Sequence, residues 1–99
     1  MLQQEVIDVM KKIPRGKVTT YKILAQKLGT NAYRAVGSAV KKNPYAPVVP
    51  CHRVVKSDGR VGFYSGPGGV NAKIRLLKKE GVSIKGNRIV DFKKVLFKF

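Results

Sequence analysis

Residues 19–42, from Thr19 to Lys42, read TTYKILAQKLGTNAYRAVGSAVKK. Tyr21, Leu24, Ala25 and Leu28 recur at helical spacing, which predicts a short helix from about Tyr21 to Leu28 with one apolar face. Thr19 or Thr20 stands where a hydroxyl can cap it, and Gly29 follows where helices commonly stop. A second helix over residues 32 to 42 carries an apolar stripe of Ala32, Ala35, Val36, Ala39 and Val40, with Asn31 as its expected N-cap. Two short helices joined by a few residues that include glycine form a helix-turn-helix pattern. Many helical bundles contain such a pair, so the pattern needs support from the rest of the chain.

Upstream, Val6, Val9, Met10 and Ile13 fall at helical spacing within residues 2 to 13, an amphipathic first helix that Pro14-Arg15-Gly16 ends. Ninety-nine residues, 43% of them apolar, make one domain with a single modest core. Against 21 Lys and Arg stand 5 Asp and Glu, a formal charge of +16, so a polyanionic partner is expected. Membrane surfaces are anionic too, but no long apolar run, signal peptide or lipidation motif is seen; nucleic acid is the expected partner and a membrane is not. On the second helix of the pair, Arg34, Ser38 and Lys41 share an outward face with Gly37, basic yet nearly bare of bulk. Such a face can be merely solvated. In a chain this basic the reading favours contact with DNA, since the second helix of a helix-turn-helix normally meets it.

Pro50-Cys51-His52-Arg53-Val54-Val55 holds the only cysteine and the only histidine, side by side. A free thiol of pKa ~8.5 is little ionised at neutral pH, so a nucleophilic cysteine needs a base within reach and positive charge nearby. Cys51, His52 and Arg53 supply all three. The plain alternative is a small buried hydrophobe beside a structural histidine. Pro47 and Pro50 restrict the approach, so Asn43 to Pro50 is expected to be a stiff extended loop, well suited to holding a reactive group. One cysteine forms no internal disulfide, and with one histidine it cannot complete a four-ligand zinc site, so no metal is expected. An unpaired thiol fits a reducing compartment, the cytoplasm or nucleoid of a prokaryote or the nucleus of a eukaryote.

Downstream, Arg53 to Val55 and Arg60 to Gly62 read as two strands around the turn Ser57-Asp58-Gly59. Gly62 to Gly69 has four glycines and a proline among eight residues, either a flexible connector or a loop whose backbone approaches a ligand. A helix follows from about Val70 to Glu80, in which Glu80 and Lys73 project between Leu76 and Leu77 on an apolar sector. A carboxylate there is costly to bury unless paired; Lys73 is one partner, and a frayed end in solvent is another outcome. Gly81 stops the helix. Val82 to Lys85 and Arg88 to Val90 form a second small hairpin around Gly86-Asn87, and Phe92, Val95, Leu96 and Phe99 close the core or face a partner. No repeat, linker or low-complexity segment interrupts the chain.

Pro-Cys-His-Arg-Val, with Tyr33-Arg34-Ala35-Val36-Gly37 before it and Val61-Gly62-Phe63-Tyr64-Ser65-Gly66 after it, resembles the DNA-binding and active-site domain of the O6-alkylguanine-DNA alkyltransferases. The likeness runs from about residue 3 to the apolar tail. It implies a mainly helical α+β domain, a single small unit with a winged helix-turn-helix-like DNA-binding core. It also implies that the helix carrying Arg34 docks in the minor groove of duplex DNA and that Arg34 fills the space left when a nucleotide turns out of the stack. By the same resemblance Cys51 is the alkyl acceptor, His52 its base and Glu80 the group that orients the ring. Asn43 orders the turn that presents the cysteine, and Tyr21 crowds the neighbouring phosphate and bonds the flipped base, although a plain core role fits Tyr21 as well. Val40, Val54 and Tyr64 wall the pocket, with the Ser65 amide near the guanine O6. Family members usually carry an additional N-terminal domain, absent from this sequence. In length it is more like the alkyltransferase-like proteins, which recognise the same lesions without the cysteine.

The resemblance therefore implies direct-reversal repair by a monomer, with irreversible transfer of the alkyl group to Cys51 and no cofactor. A lesion-binding protein without transfer and an unspecific basic nucleic-acid module are the alternatives.

Overall fold

The computed structural model describes residues 2–99 except Pro47 and Ser65. Helix α1 spans Leu2–Met10 and buries Val6, Ile7, Val9 and Met10. It is shorter than the sequence pattern, because the next turn tightens: Lys12 N–H and Ile13 N–H donate to the carbonyls of Val9 and Met10, three residues back. Strand β1 (Thr19–Thr20) leads straight into helix α2 (Tyr21–Lys27), whose N-cap is Thr20, its hydroxyl accepting from Ile23 N–H at 3.0 Å. Helix α3 spans Tyr33–Lys41 and packs on both α1 and α2.

Two expectations for α3 are corrected. Its N-cap is Ala32, not Asn31; the Asn31 carbonyl accepts from Tyr33 N–H, and the cap region is tied instead by Thr30, whose hydroxyl accepts from Ala32 N–H at 3.0 Å. Ala32 and Ala35 lie exposed, so the buried stripe is Val36, Ala39 and Val40. Residues 43–50, expected to be extended, turn compactly: Val49 N–H donates to Tyr45 O, and both amide ends of Asn43 bond within the turn. Pro47 falls outside the described residues.

A 3-10 turn over Cys51–Arg53 runs into strand β2 (Val54–Val55), which pairs in parallel with β1, Thr19 opposite Val54 and Thr20 opposite Val55. This displaces the expected hairpin between 53–55 and 60–62. Lys56 N–H still closes a tight turn onto Arg60 O, but residues 59–61 bond to 87–89 instead, Val61 N–H to Asn87 O and Ile89 N–H to Gly59 O. Strand β2 already has a neighbour in β1, and the following residues complete the second hairpin. Helix α4 spans Gly69–Lys79. Strands β3 (Ile84–Lys85) and β4 (Arg88–Ile89) pair antiparallel, as the Gly86-Asn87 turn predicts. A last helix, α5 (Phe92–Val95), brings the tail back beside β1, where Val18 N–H donates to Val95 O and Phe97 N–H to Val18 O.

The result is α+β and mainly helical, with the β3–β4 hairpin and the 54–61 segment as the wing of a helix-turn-helix. One core cluster lies among α1, α2 and α3 and reaches Val49, Cys51, Val54, Tyr64 and Ala72. A smaller one joins Val18, Val55, Val61, Leu77, Val82 and Ile89, with Phe92 and Val95 half-buried against it. The 3-10 turn bearing Cys51 and His52 therefore sits where α3, β2 and α4 meet.

Candidate active site and nucleic-acid face

Cys51 is buried and held from the backbone side, its N–H donating to Val49 O at 2.8 Å. The same carbonyl accepts from Asn43 Nδ2 at 2.9 Å, while Asn43 Oδ1 accepts from Tyr45 N–H at 3.0 Å. Asn43 thus clamps the loop that ends at the cysteine.

His52 is 2% exposed and its Nε2 lies 3.0 Å from Glu80 Oε2. Against a carboxylate, that nitrogen is the donor, so the lone pair belongs to Nδ1, which is buried without a hydrogen-bond partner among the described residues. Burial lowers the His52 pKa, and the Glu80 hydrogen bond and charge offset part of that. The ring is therefore neutral near pH 7, with its open acceptor at Nδ1.

Glu80 caps α4 and does not pair with Lys73. Arg53 clamps it with two bonds, Nε to Oε1 at 2.9 Å and a terminal nitrogen to Oε2 at 2.7 Å, and its other terminal nitrogen donates to Ile13 O at 2.7 Å. Burial works against the Glu80 carboxylate, but the bonds from Arg53 and His52 outweigh it and hold its pKa below the usual value. Lys73 is wholly buried and turns elsewhere: its Nζ donates to Val54 O at 2.7 Å and Phe63 O at 2.9 Å. Burial pushes the Lys73 ammonium down to about 7, while negative charge at Cys51 acts in the opposite direction, so the two groups are electrostatic neighbours.

A cavity of about 10 Å³ reaches Cys51 between Tyr21, Val40, Lys41, Phe63 and Tyr64. Val40 and Tyr64 are among its lining residues; Val54 is not, being buried in the core with its carbonyl taken by Lys73. Ser65 lies outside the described residues. Gly66 packs on the Tyr64 ring so closely that a Cβ there would overlap the phenol, which fixes why the loop carries glycine at that point. Burial, and after it Cys51, pushes the Tyr21 hydroxyl up to about 12, and the same causes raise Tyr64.

Above the cavity runs a groove of about 450 Å³ that gathers Tyr21, Arg34, Gly37, Ser38 and Lys41 with Lys56, Gly62 and Phe63. All five residues expected on the nucleic-acid face thus share one surface. Phe63, Lys41 and Tyr21 belong to both groove and cavity, and Lys41 Nζ sits 4.7 Å from the centre of the Phe63 ring. Sequence reasoning missed the positions of Phe63, Lys56 and Lys73. An ammonium at an apolar helical position was the one available signal, for Lys73.

The family model for the 6-O-methylguanine DNA methyltransferase, DNA binding domain, matches residues 1–82. A methylated-DNA–protein-cysteine methyltransferase of Methanothermobacter thermautotrophicus is 48% identical over 84 residues, covering 85% of this chain and 46% of that protein. The chain spans about half the length of the curated relatives it matches. Among solved structures, Mycobacterium tuberculosis OGT in complex with DNA is 42% identical with a TM-score of 0.74, over 79% of this chain and 48% of that one. S. pombe Atl1, in complex with damaged DNA containing O6-carboxymethylguanine, is 30% identical with a TM-score of 0.85, over 98% of this chain and 94% of that one. A shared helix-turn-helix fold, the Cys51-His52 turn beneath its groove and sequence identity over most of the domain converge: this chain belongs to the 6-O-methylguanine DNA methyltransferase family, through its DNA binding domain.

Proposed function

We propose that this chain repairs DNA by moving an alkyl group from guanine O6 to Cys51, once per molecule. The observation that carries the reading is the His52 ring, held through Nε2 by Glu80 and left with an open, buried Nδ1, next in sequence to the buried free thiol of Cys51. A base within a duplex cannot present O6 to a side chain, so the nucleotide has to leave the stack, at a cost of a few kcal/mol. Docking of α3 in the minor groove puts Arg34 at the vacancy, with Gly37 and Ser38 allowing close backbone approach and Lys41 meeting phosphate. Two relatives have been solved on DNA, and their likeness to this chain supports the partner.

The chemistry balances without a cofactor. His52 Nδ1 takes the Cys51 proton through a water, and Glu80, itself held by Arg53, stabilises the imidazolium. The thiolate attacks the alkyl carbon as its bond to O6 breaks, and both electrons of that bond leave with guanine. Tyr21, with its pKa raised to about 12, stays protonated and serves as a hydrogen-bond donor to the departing base. Lys73 favours the thiolate by its charge and ties the carbonyl of Phe63, which lines the pocket, to that of Val54 in the core. An S-alkyl cysteine offers water only a saturated carbon and a poor leaving group, so the product is final and the protein acts as a monomer consumed by its reaction.

The test is intact-protein mass after incubation with excess O6-methylguanine duplex. Repair is expected to stop at one lesion per protein, with one methyl group on the peptide containing Cys51 and none on Cys51→Ser. Turnover beyond that ratio refutes the single-use mechanism. Selective binding of the lesion without mass gain assigns the chain instead to lesion holding; the likeness to S. pombe Atl1, solved with damaged DNA containing O6-carboxymethylguanine, supports keeping that arm.

A further inference from the structure

A second groove, of about 660 Å³, lies between α2 and the C-terminal tail, on the far side of the Tyr21–Lys22 corner from the α3 groove. Lys22 and Lys27 from α2 and Lys98 from the tail stand on its rim, and Phe92 and Leu96 form part of its floor. No Asp or Glu side chain lines it, although Phe99, the last residue, does and brings its α-carboxyl group to that end; among the described residues none of these three lysines forms an ion pair. Like charges gathered on one concave wall repel one another unless an anion lies between them.

Two features say which anion. The two grooves meet along the chain at two places: Tyr21 lines one and Lys22 the other, Lys56 lines one and Ser57 the other. The tail wall is also held firmly, since Val18 exchanges backbone bonds with Val95 and Phe97 at 2.9 and 2.7 Å and the Phe97 and Phe99 rings meet edge to face. Lys98 lies between those two rings in sequence, on an anchored segment. The family model ends at residue 82, so this wall is built from residues beyond the matched span.

We propose that the α2–tail groove is a second phosphate track, taking the backbone of the duplex that lies in the α3 groove and lengthening the footprint on the side away from the lesion. The proposal rests on the reading of the α3 groove as a DNA face. A phosphodiester strand leaving that groove past Lys56 and Ser57 enters a channel whose rim presents ammonium groups and whose amide and hydroxyl neighbours, Gln26 and Ser57, can donate to phosphate oxygens.

The experiment compares Lys27→Gln with Lys98→Gln in one chain against Lys11→Gln with Lys12→Gln in the turn after α1, a control that removes equal charge elsewhere. Binding to an unmodified duplex is measured across salt concentrations. Each phosphate contact contributes about 0.9 to the slope of log affinity against log salt, so the groove variant is expected to lose up to about 1.8 in slope and the control well under half of that. Thermal unfolding midpoints matching wild type exclude loss of the fold. Equal slopes for the two double variants overturn the proposal, whether the groove holds another polyanion or nothing. Methyl transfer to Cys51 is read separately on wild type, so failure of the repair reading and failure of the track are distinguishable.

Discussion

Glu80→Gln separates what Glu80 does for the fold from what it does for the chemistry. The carboxylate accepts two bonds from Arg53, at 2.9 and 2.7 Å, and one from His52 at 3.0 Å, and its side chain is 8% exposed, so solvent screens little of this. A carboxamide of the same shape keeps one acceptor and turns an NH2 toward a donor. At least one charge-assisted bond is lost, each worth about 1.5–3 kcal/mol, and the others lose their charge; a destabilisation of about 2–4 kcal/mol follows. For a domain of this size each kcal/mol moves the midpoint by roughly 4–8 °C, so Tm is expected to fall by at least about 8 °C. Chemistry is then measured as single-turnover methyl transfer at a temperature where circular dichroism shows both proteins folded. Loss of one bond to the imidazolium that forms during proton transfer slows the reaction by about 10- to 100-fold. The pH profile adds a sign. Burial already lowers the His52 pKa and Glu80 pushes it back up, so removing that charge drops it further and moves the acid limb of the rate to lower pH while the plateau falls. The effect should not add to that of His52→Ala, since the two groups act as one unit. A rate per folded molecule within twofold of wild type and an unmoved acid limb would falsify the relay and leave Glu80 a structural clamp for Arg53.

The cavity of about 10 Å³ is far too small for a purine, so Phe63 and Lys41 have to separate before a base enters. Phe63→Ala removes a contact worth about 0.5–1 kcal/mol and is expected to speed reaction with free O6-benzylguanine about two- to fivefold; no acceleration removes Phe63 as the gate. Arg34→Ala should slow repair of duplex far more than reaction with the free base, which needs no flipping, and equal slowing moves Arg34 from extrusion to the pocket. Lys73 is protonated below about pH 7 in the fold and below its ordinary value near 10.5 when unfolded, so the unfolded chain binds more protons between those limits. Chemical denaturation should therefore show stability rising from pH 7 to 10.5, a slope that Lys73→Met loses; an identical pH profile in the variant shows Lys73 to be charged throughout.

The elements legible in the sequence are those whose bonds close within a few residues. Thr20 caps α2 through Ile23, three positions on, and the burial of Val36, Ala39 and Val40 follows the turn of a single helix, so local order is enough to read them. The Cys51-His52 pair was visible for the same reason, and Glu80 because a carboxylate on an apolar helical face needs a partner. Which partner was not visible. Glu80 and Lys73 share a sector of α4, yet one reaches His52 and Arg53 while the other crosses to the carbonyls of Val54 and Phe63, and that division depends on where the 51–63 segment lies against the helix. The parallel pairing of Thr19–Thr20 with Val54–Val55 was equally hidden, because two-residue strands carry almost no alternation and their bonds run to a distant part of the chain. The sequence by itself determined the helices, the basic face and the Cys51-His52 pair that the proposed chemistry uses. Tertiary packing alone decided how the buried charges are shared, how nearly the pocket is shut and where the tail builds its second groove, since each depends on contacts between residues tens of positions apart.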